Sequence, residues 1–145
     1  MLGLGGRKFV LAVIIVANAV VIAMGQATDR TTGLPLHSGL TFQQSAPGGF
    51  CQSKAQQSLY VVPDDADLAE YTAWYKGQLK DFRWIERNWD GRPYQFFYSP
   101  DGTLGVTVKG SKTAGNVYSV SYYKFTPGLS RHQMEAFAPD NPLCK

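Results

Sequence analysis

An almost uninterrupted apolar run near the amino terminus constrains this chain more than any other feature. Fifteen of the sixteen residues in 9–24 are apolar, and only Asn18 interrupts them. Arg7 and Lys8 precede the run. Such a segment is typical of a secretory signal or a membrane anchor. Because basic residues stay on the cytoplasmic side, both interpretations export the rest of the chain.

The two interpretations differ in whether the run is kept. Gly25, Gln26 and Ala27 form a small-x-small site that permits cleavage after Ala27. A retained anchor needs about 20 mainly apolar residues, which residues 2–27 supply. We expect a single-span anchor in a bacterial-type inner membrane, with its amino terminus in the cytoplasm. The alternative is that the segment is a cleaved signal and that the chain is periplasmic or secreted. The apolar side chains of the anchor would contact lipid, and its asparagine would face a partner helix. The anchor residues are Phe9, Leu11, Ile14, Ile15, Asn18 and Val21.

The cysteine content agrees with export. The chain has two cysteines, Cys51 and Cys144, and an even count in an exported chain favours a disulfide. The bridge would close a loop of about 90 residues and would stabilise the fold by roughly 4–5 kcal/mol by restricting the unfolded chain. Two buried free thiols are the alternative.

Turn residues and periodicity divide the remainder of the chain. Residues 28–50 are rich in Gly, Pro and Gln without sustained periodicity, which predicts a linker, although its Leu34, Leu36, Leu40 and Phe42 could pack on the domain or on a partner. The apolar spacing of three and four in 68–79 predicts a helix capped by Asp64 or Asp65. Alternation and turn signals predict strands at 58–62, 82–87, 94–98, 104–108 and 117–125, and a short helix at 130–137.

This order of elements predicts an α+β fold. A hydrophobic amino-terminal helix (1–27) and a linker (28–50) would precede an extracytoplasmic domain (51–145). In that domain one helix would pack on an antiparallel sheet of about five strands. The opposite face of the sheet would be solvated or would serve as a docking surface.

Composition and motifs argue against several function classes. Residues 28–145 carry 12 basic and 11 acidic side chains, too balanced for a nucleic-acid partner. His37 and His132 lack the spacing of metal ligands, and capping accounts for the acidic residues at 64–67. No phosphate loop, nucleophile elbow or paired-cysteine motif is present. We therefore expect no enzymatic activity, metal or cofactor.

One aromatic and arginine-rich stretch is a candidate interface. Arginine and large aromatic side chains are enriched where proteins bind partners, although small domains also build their cores from aromatics. The candidate interface residues are Arg83, Trp84, Arg87, Trp89, Arg92, Tyr94 and Phe97.

These features together suggest a non-catalytic role at the outer face of a membrane. We expect an anchored accessory or structural subunit of a membrane-associated assembly, whose partners are other protein subunits and, through the apolar run, membrane lipid. The alternative is a soluble periplasmic or secreted binding module from which the leader has been removed.

Overall fold

The computed structural model describes residues 26–50, 53–113 and 115–136. Within them, six strands and two helices follow one another along the chain. They are β1 (Thr41–Phe50), β2 (Ser53–Val61), α1 (Leu68–Gln78), β3 (Arg83–Trp89), β4 (Arg92–Tyr98), β5 (Leu104–Gly110), β6 (Val117–Thr126) and α2 (Arg131–Glu135).

All six strands belong to one antiparallel sheet. Their spatial order is β1-β2-β6-β5-β4-β3, so β1 and β3 are the two edges. The connection from β2 to β3 carries α1 across one face of the sheet, which we call the first face. The turn between β3 and β4 consists of Asp90 and Gly91, both with positive φ, as a two-residue hairpin turn requires.

The predicted α+β fold is wrong, because the described chain is nearly all-β. The sheet has six strands rather than about five, and its only substantial helix, α1, has eleven residues. One helix of this length spans only part of such a sheet, so there is no separate helical layer. The individual predictions of α1, of strands β3 to β6 and of the short α2 match the observed elements closely, whereas the strand predicted at 58–62 covers only the end of β2.

The sixth strand lies in the segment that was predicted to be a linker. β1 pairs with β2 from Thr41 opposite Val61 to Phe50 opposite Ser53, with a bulge at Gln43. Its Gly, Pro and Gln residues show no alternation. Pairing with a neighbouring strand outweighs this weak local preference, because strand propensity depends on context. Residues 28–50 are therefore part of the domain and do not form a tether.

The first face of the sheet holds the larger core. Side chains from four inner strands pack there against Tyr71, Tyr75 and Leu79 of α1. The cap of α1 is Asp67, whose carboxylate accepts a hydrogen bond from the Glu70 amide at 2.9 Å, rather than Asp64 or Asp65. The strand residues of this core are Tyr60, Phe97, Val106, Val108, Val117, Val120 and Tyr122.

Residues 26–40 cover the part of the first face that α1 leaves free. Leu34, Leu36 and Leu40 pack against the core. Buried Asp29 ties the segment to β2, because its Oδ1 accepts a hydrogen bond from the Tyr60 hydroxyl at 2.6 Å. Its Oδ2 accepts two more at 2.8 Å, from the amide and hydroxyl of Thr32.

A second polar connection joins α1, β6 and the same segment. The Tyr122 hydroxyl donates to the Pro35 carbonyl at 2.7 Å. The Tyr75 hydroxyl lies 2.6 Å from that of Tyr122, so Tyr75 must be the donor in this pair. Burial raises the pKa of both phenols above the ordinary value of 10. Every polar atom in this chain of contacts thus has a partner within the core.

The described residues cover the opposite side of the sheet, the second face, only at one end. There Phe96, Tyr98 and Phe125 pack against Leu129 and Met134, which belong to the segment that ends in α2. Ser130 caps α2 through a reciprocal pair of hydrogen bonds with Gln133. The other end of the second face remains open and forms the groove described below.

Several sequence predictions fall outside the described residues. These are the apolar run at 9–24 with its anchor residues and the Cys51–Cys144 disulfide, all of which stay predictions. Among the residues that the structure describes, none of the helices has the length and apolar character needed to cross a membrane.

Candidate binding groove

The open end of the second face forms a groove of about 860 Å³. Strand positions that alternate toward this face supply its floor, and the β3–β4 turn and the start of β6 supply its rim. The side chains that matter for its chemistry are Gln57, Trp89, Tyr94, Thr107, Lys109, Tyr118, Ser121 and Tyr123.

Hydrogen-bonding groups form one part of the floor, beside the apolar Leu59 and Val61 of β2. Gln57 of β2 lies opposite Tyr123 of β6, and its amide nitrogen donates to the Ser121 hydroxyl at 3.2 Å and to the Tyr123 hydroxyl at 3.3 Å. Burial raises the pKa of the Tyr123 phenol, so this hydroxyl stays protonated at neutral pH. The floor therefore presents neutral donors and acceptors in a fixed arrangement.

The rim combines aromatic rings with two cations. The indole of Trp89 meets Tyr94 edge-on, with the ring centroids 5.9 Å apart. Tyr118, which is 56% exposed, has the Arg92 guanidinium carbon 4.6 Å from its ring centroid and the Lys109 ammonium 5.3 Å from it. These cation–π contacts hold two positive charges beside the groove.

The two cations lack acidic partners. Among the described residues, neither Arg92 nor Lys109 lies within salt-bridge distance of a carboxylate, although both are half-buried. Of the described residues that line the groove, Asp64 alone carries a carboxylate, and none is a histidine or a cysteine. The described residues also hold no cluster of three metal-ligating side chains. The groove thus offers hydrogen bonds, aromatic surface and positive charge rather than a pair of acid and base groups.

The structure divides the predicted interface between the two faces of the sheet. Trp89, Arg92 and Tyr94 share the second face; Trp89 and Tyr94 line the groove, and Arg92 lies beside it, over the ring of Tyr118. Phe97 points to the other side and is only 1% exposed in the core beside Tyr75, so it cannot contact a partner. The period of two along β3 and β4 causes this division, because neighbouring residues point to opposite faces.

The remaining three predicted residues lie on the edge strand β3. Trp84 is 39% exposed on the first face, donates its indole N–H to Gln95 at 2.6 Å and lies under the Lys76 ammonium at 3.7 Å. Arg87 donates to the Glu135 carbonyl at 2.9 Å and so links β3 to α2. Arg83 is exposed. All three line a shallow depression along β3, separate from the groove, and Trp84 and Arg87 are engaged in contacts within the domain.

Local sequence patterns do not predict most of the groove. Gln57 of β2 is far in sequence from Lys109 of β5 and from Tyr118 and Ser121 of β6. The patterns indicated only that the face opposite the helix would be solvated or would serve as a docking surface. Only the order of the strands shows that this surface meets Trp89 and Arg92.

Known proteins give no guide to this site. No protein-family model matches the chain, and neither a curated protein nor a solved structure matches it.

Proposed function

We propose that this chain is a non-catalytic, extracytoplasmic binding module that holds a ligand in the groove of its second face. The observation that carries the proposal is the pair of half-buried cations, Arg92 and Lys109, which lie beside the hydrogen-bonding part of the floor and have no acidic partner among the described residues. A half-buried charge is less well solvated than a free one, so a ligand that pairs with it recovers part of the lost solvation energy.

The contrast between the ends of the second face supports the same proposal. The end covered by Leu129 and Met134 is apolar, and burial against these residues stabilises it. The groove end mixes apolar residues such as Leu59 with polar ones such as Gln57 and Lys109, so a cover there would also have to bury polar groups. Its volume lies within the range of about 300–1,000 Å³ that is usual for small-molecule sites.

Ligand-observed NMR on the full-length chain tests this function. The probes are four soluble classes: sugars with and without acidic groups, amino acids and short peptides, nucleotides, and short fatty acids. We expect one class to bind, and Trp89→Ala to abolish the signal. Trp84→Ala is the matched control, because its indole lies on the other face. Absence of binding by all four classes, or equal loss in both variants, would overturn the proposal.

A second candidate function is an accessory subunit of a membrane-associated assembly. The observation in its favour is the edge strand β1, which carries no charged residue over its ten positions and exposes Phe42. Edge strands without charges are suited to pairing with another chain. Co-purification of the full-length chain from its native membranes tests this function. Phe42→Asp should release specific subunits, whereas Tyr118→Asp should retain them; retention by both variants would exclude β1 as the contact.

A further inference from the structure

We infer that the groove takes an acidic oligosaccharide, whose hydroxyls bind the floor and whose carboxylate pairs with Arg92 and Lys109. This inference rests on the proposed binding function and names the ligand class for the same groove.

The floor argues for a ligand rich in hydroxyl groups. Gln57, Ser121 and Tyr123 already form a hydrogen-bonded set, and each retains donor or acceptor capacity for a further bond. A lipid chain has no polar groups that could use this remaining capacity, and it would displace the water that uses it in the open groove. A sugar ring carries alternating donors and acceptors that can satisfy them.

The wall of the groove offers an aromatic surface that a sugar ring can contact. Trp89 is half-buried and lines the groove, and its contact with Tyr94 is made edge-on. The electron-rich face of an indole attracts the weakly positive C–H groups on one face of a sugar ring. The wall and the floor therefore contact the apolar and polar parts of the same ligand.

The charges at the rim argue for an acidic sugar and against a nucleic acid. Arg92 and Lys109 flank Tyr118, and no carboxylate in the described part of the chain pairs with them, which favours a ligand with one or two carboxylates. Asp64 lines the same groove, and residues 28–145 have a net charge of only +1. A chain of closely spaced phosphates would meet this carboxylate and find no extended basic surface.

The volume of the groove favours several sugar units over one. About 860 Å³ is near the upper end of the range for small-molecule sites, and one sugar ring would leave much of it filled with water. We therefore expect affinity to rise with chain length until the groove is filled.

Titration calorimetry with the full-length chain tests the inference. The probes are short oligosaccharides that contain uronic, muramic or sialic acid, each beside its carboxyl-reduced counterpart. We expect at least one acidic oligosaccharide to bind about tenfold more tightly than its reduced form, a difference of about 1.4 kcal/mol. Added salt should reduce the difference, because it screens exposed charges.

Substitutions inside and outside the groove test whether the ligand binds there. Lys109→Gln should weaken only the acidic form, and Trp89→Ala should weaken both forms about tenfold, with partial recovery in Trp89→Phe. Lys76→Gln is the matched control, because this lysine lies over Trp84 on the first face and should leave binding unchanged. Thermal unfolding of each variant checks that the fold persists.

Three outcomes would overturn the inference. Equal affinity for the acidic and reduced forms would remove the acidic requirement. Binding of anionic lipid vesicles that Lys109→Gln abolishes, without binding of any sugar, would make the groove a lipid site. If another of the four probe classes binds in a Trp89-dependent way and no sugar does, the ligand class is wrong but the binding function stands; if no class binds, both fail.

Discussion

The two faces of the sheet differ in how completely the chain covers them. On the first face, α1 and residues 26–40 close over an apolar core, and buried phenols pair with Asp29 and with the Pro35 carbonyl. On the second face, Leu129 and Met134 cover one end, and the groove occupies the other.

The difference shows what determines coverage in a domain of this size. Apolar side chains such as Phe97 and Phe96 lie where another segment packs on the sheet, because burial of apolar surface supplies most of the stabilisation. Gln57 and Lys109 are half-buried at the end where no described segment packs, since burial of their polar groups would bring little gain. Stability therefore resides mainly in the first face, and the open end of the second is free to serve binding.

The largest expected loss of stability comes from removing an aromatic ring from the core of the first face. Phe97→Ala should lower the free energy of unfolding by about 3–5 kcal/mol, because it leaves a cavity beside Tyr75. Trp89→Ala in the groove should lower it by about 1 kcal/mol or less. Urea unfolding measures both values, and similar losses would contradict the assignment of stability to the first face.

The second prediction compares two glycines of the β-turns. Gly102 and Gly91 both have positive φ, but a Cβ at Gly102 would overlap the Leu129 carbonyl, whereas Gly91 has open space around it. Gly102→Ala should cost about 3 kcal/mol, because it also displaces the segment that covers the second face. Gly91→Ala should cost about 1 kcal/mol from backbone strain alone. If urea unfolding gives equal losses of unfolding free energy for the two variants, the Leu129 carbonyl moves aside without an energetic penalty.

The third prediction uses alkaline pH to probe the buried phenols. The folded state raises the pKa of Tyr75 and Tyr122 above 10, so it keeps protons that the unfolded chain releases. Their contribution is fully present below about pH 10 and is lost as the pH rises further, by about 1.4 kcal/mol per pH unit for each. Urea unfolding from about pH 9 to about pH 11 measures the slope. Tyr122→Phe should reduce it, and an unchanged slope would refute the assignment.

The fourth prediction concerns the attachment of residues 26–40. Tyr60→Phe should destabilise the fold by about 1.5–3 kcal/mol, because it removes a hydrogen bond to the buried Asp29 carboxylate. A double-mutant cycle with Asp29→Asn should show coupling between the two side chains. Tyr118→Phe at the exposed rim of the groove is the control and should change stability by less than about 0.5 kcal/mol.

The smallest expected effect is at the exposed part of the first face. Lys76→Met removes the cation above the Trp84 ring and should cost about 0.5 kcal/mol in the unfolding free energy. Lys76→Met should lower the unfolding free energy by less when Trp84 is already replaced by leucine, because the aromatic ring is then absent. A loss above about 2 kcal/mol would mean that this pair belongs to the core rather than to its rim.

Local patterns predicted the local elements well. The spacing of Tyr71 and Tyr75 indicated α1, and the alternation in 104–108 indicated β5. They failed at β1, whose Pro47 and Gly48 lack any strand signal and acquire strand geometry only by pairing with β2. They failed again at the candidate interface, because residues that are adjacent in sequence, such as Phe96 and Phe97, pack into different cores.

The sequence by itself determined where the helix and five of the six strands lie, because the periodicity of apolar residues is a local property. Only the tertiary structure decided the order of the strands, the use of residues 26–40 as a cover and the meeting of Gln57, Lys109 and Trp89 at one groove. These features depend on contacts between residues far apart in the chain. Which face such contacts bury is settled by the total apolar surface removed from water, and no single segment carries that information.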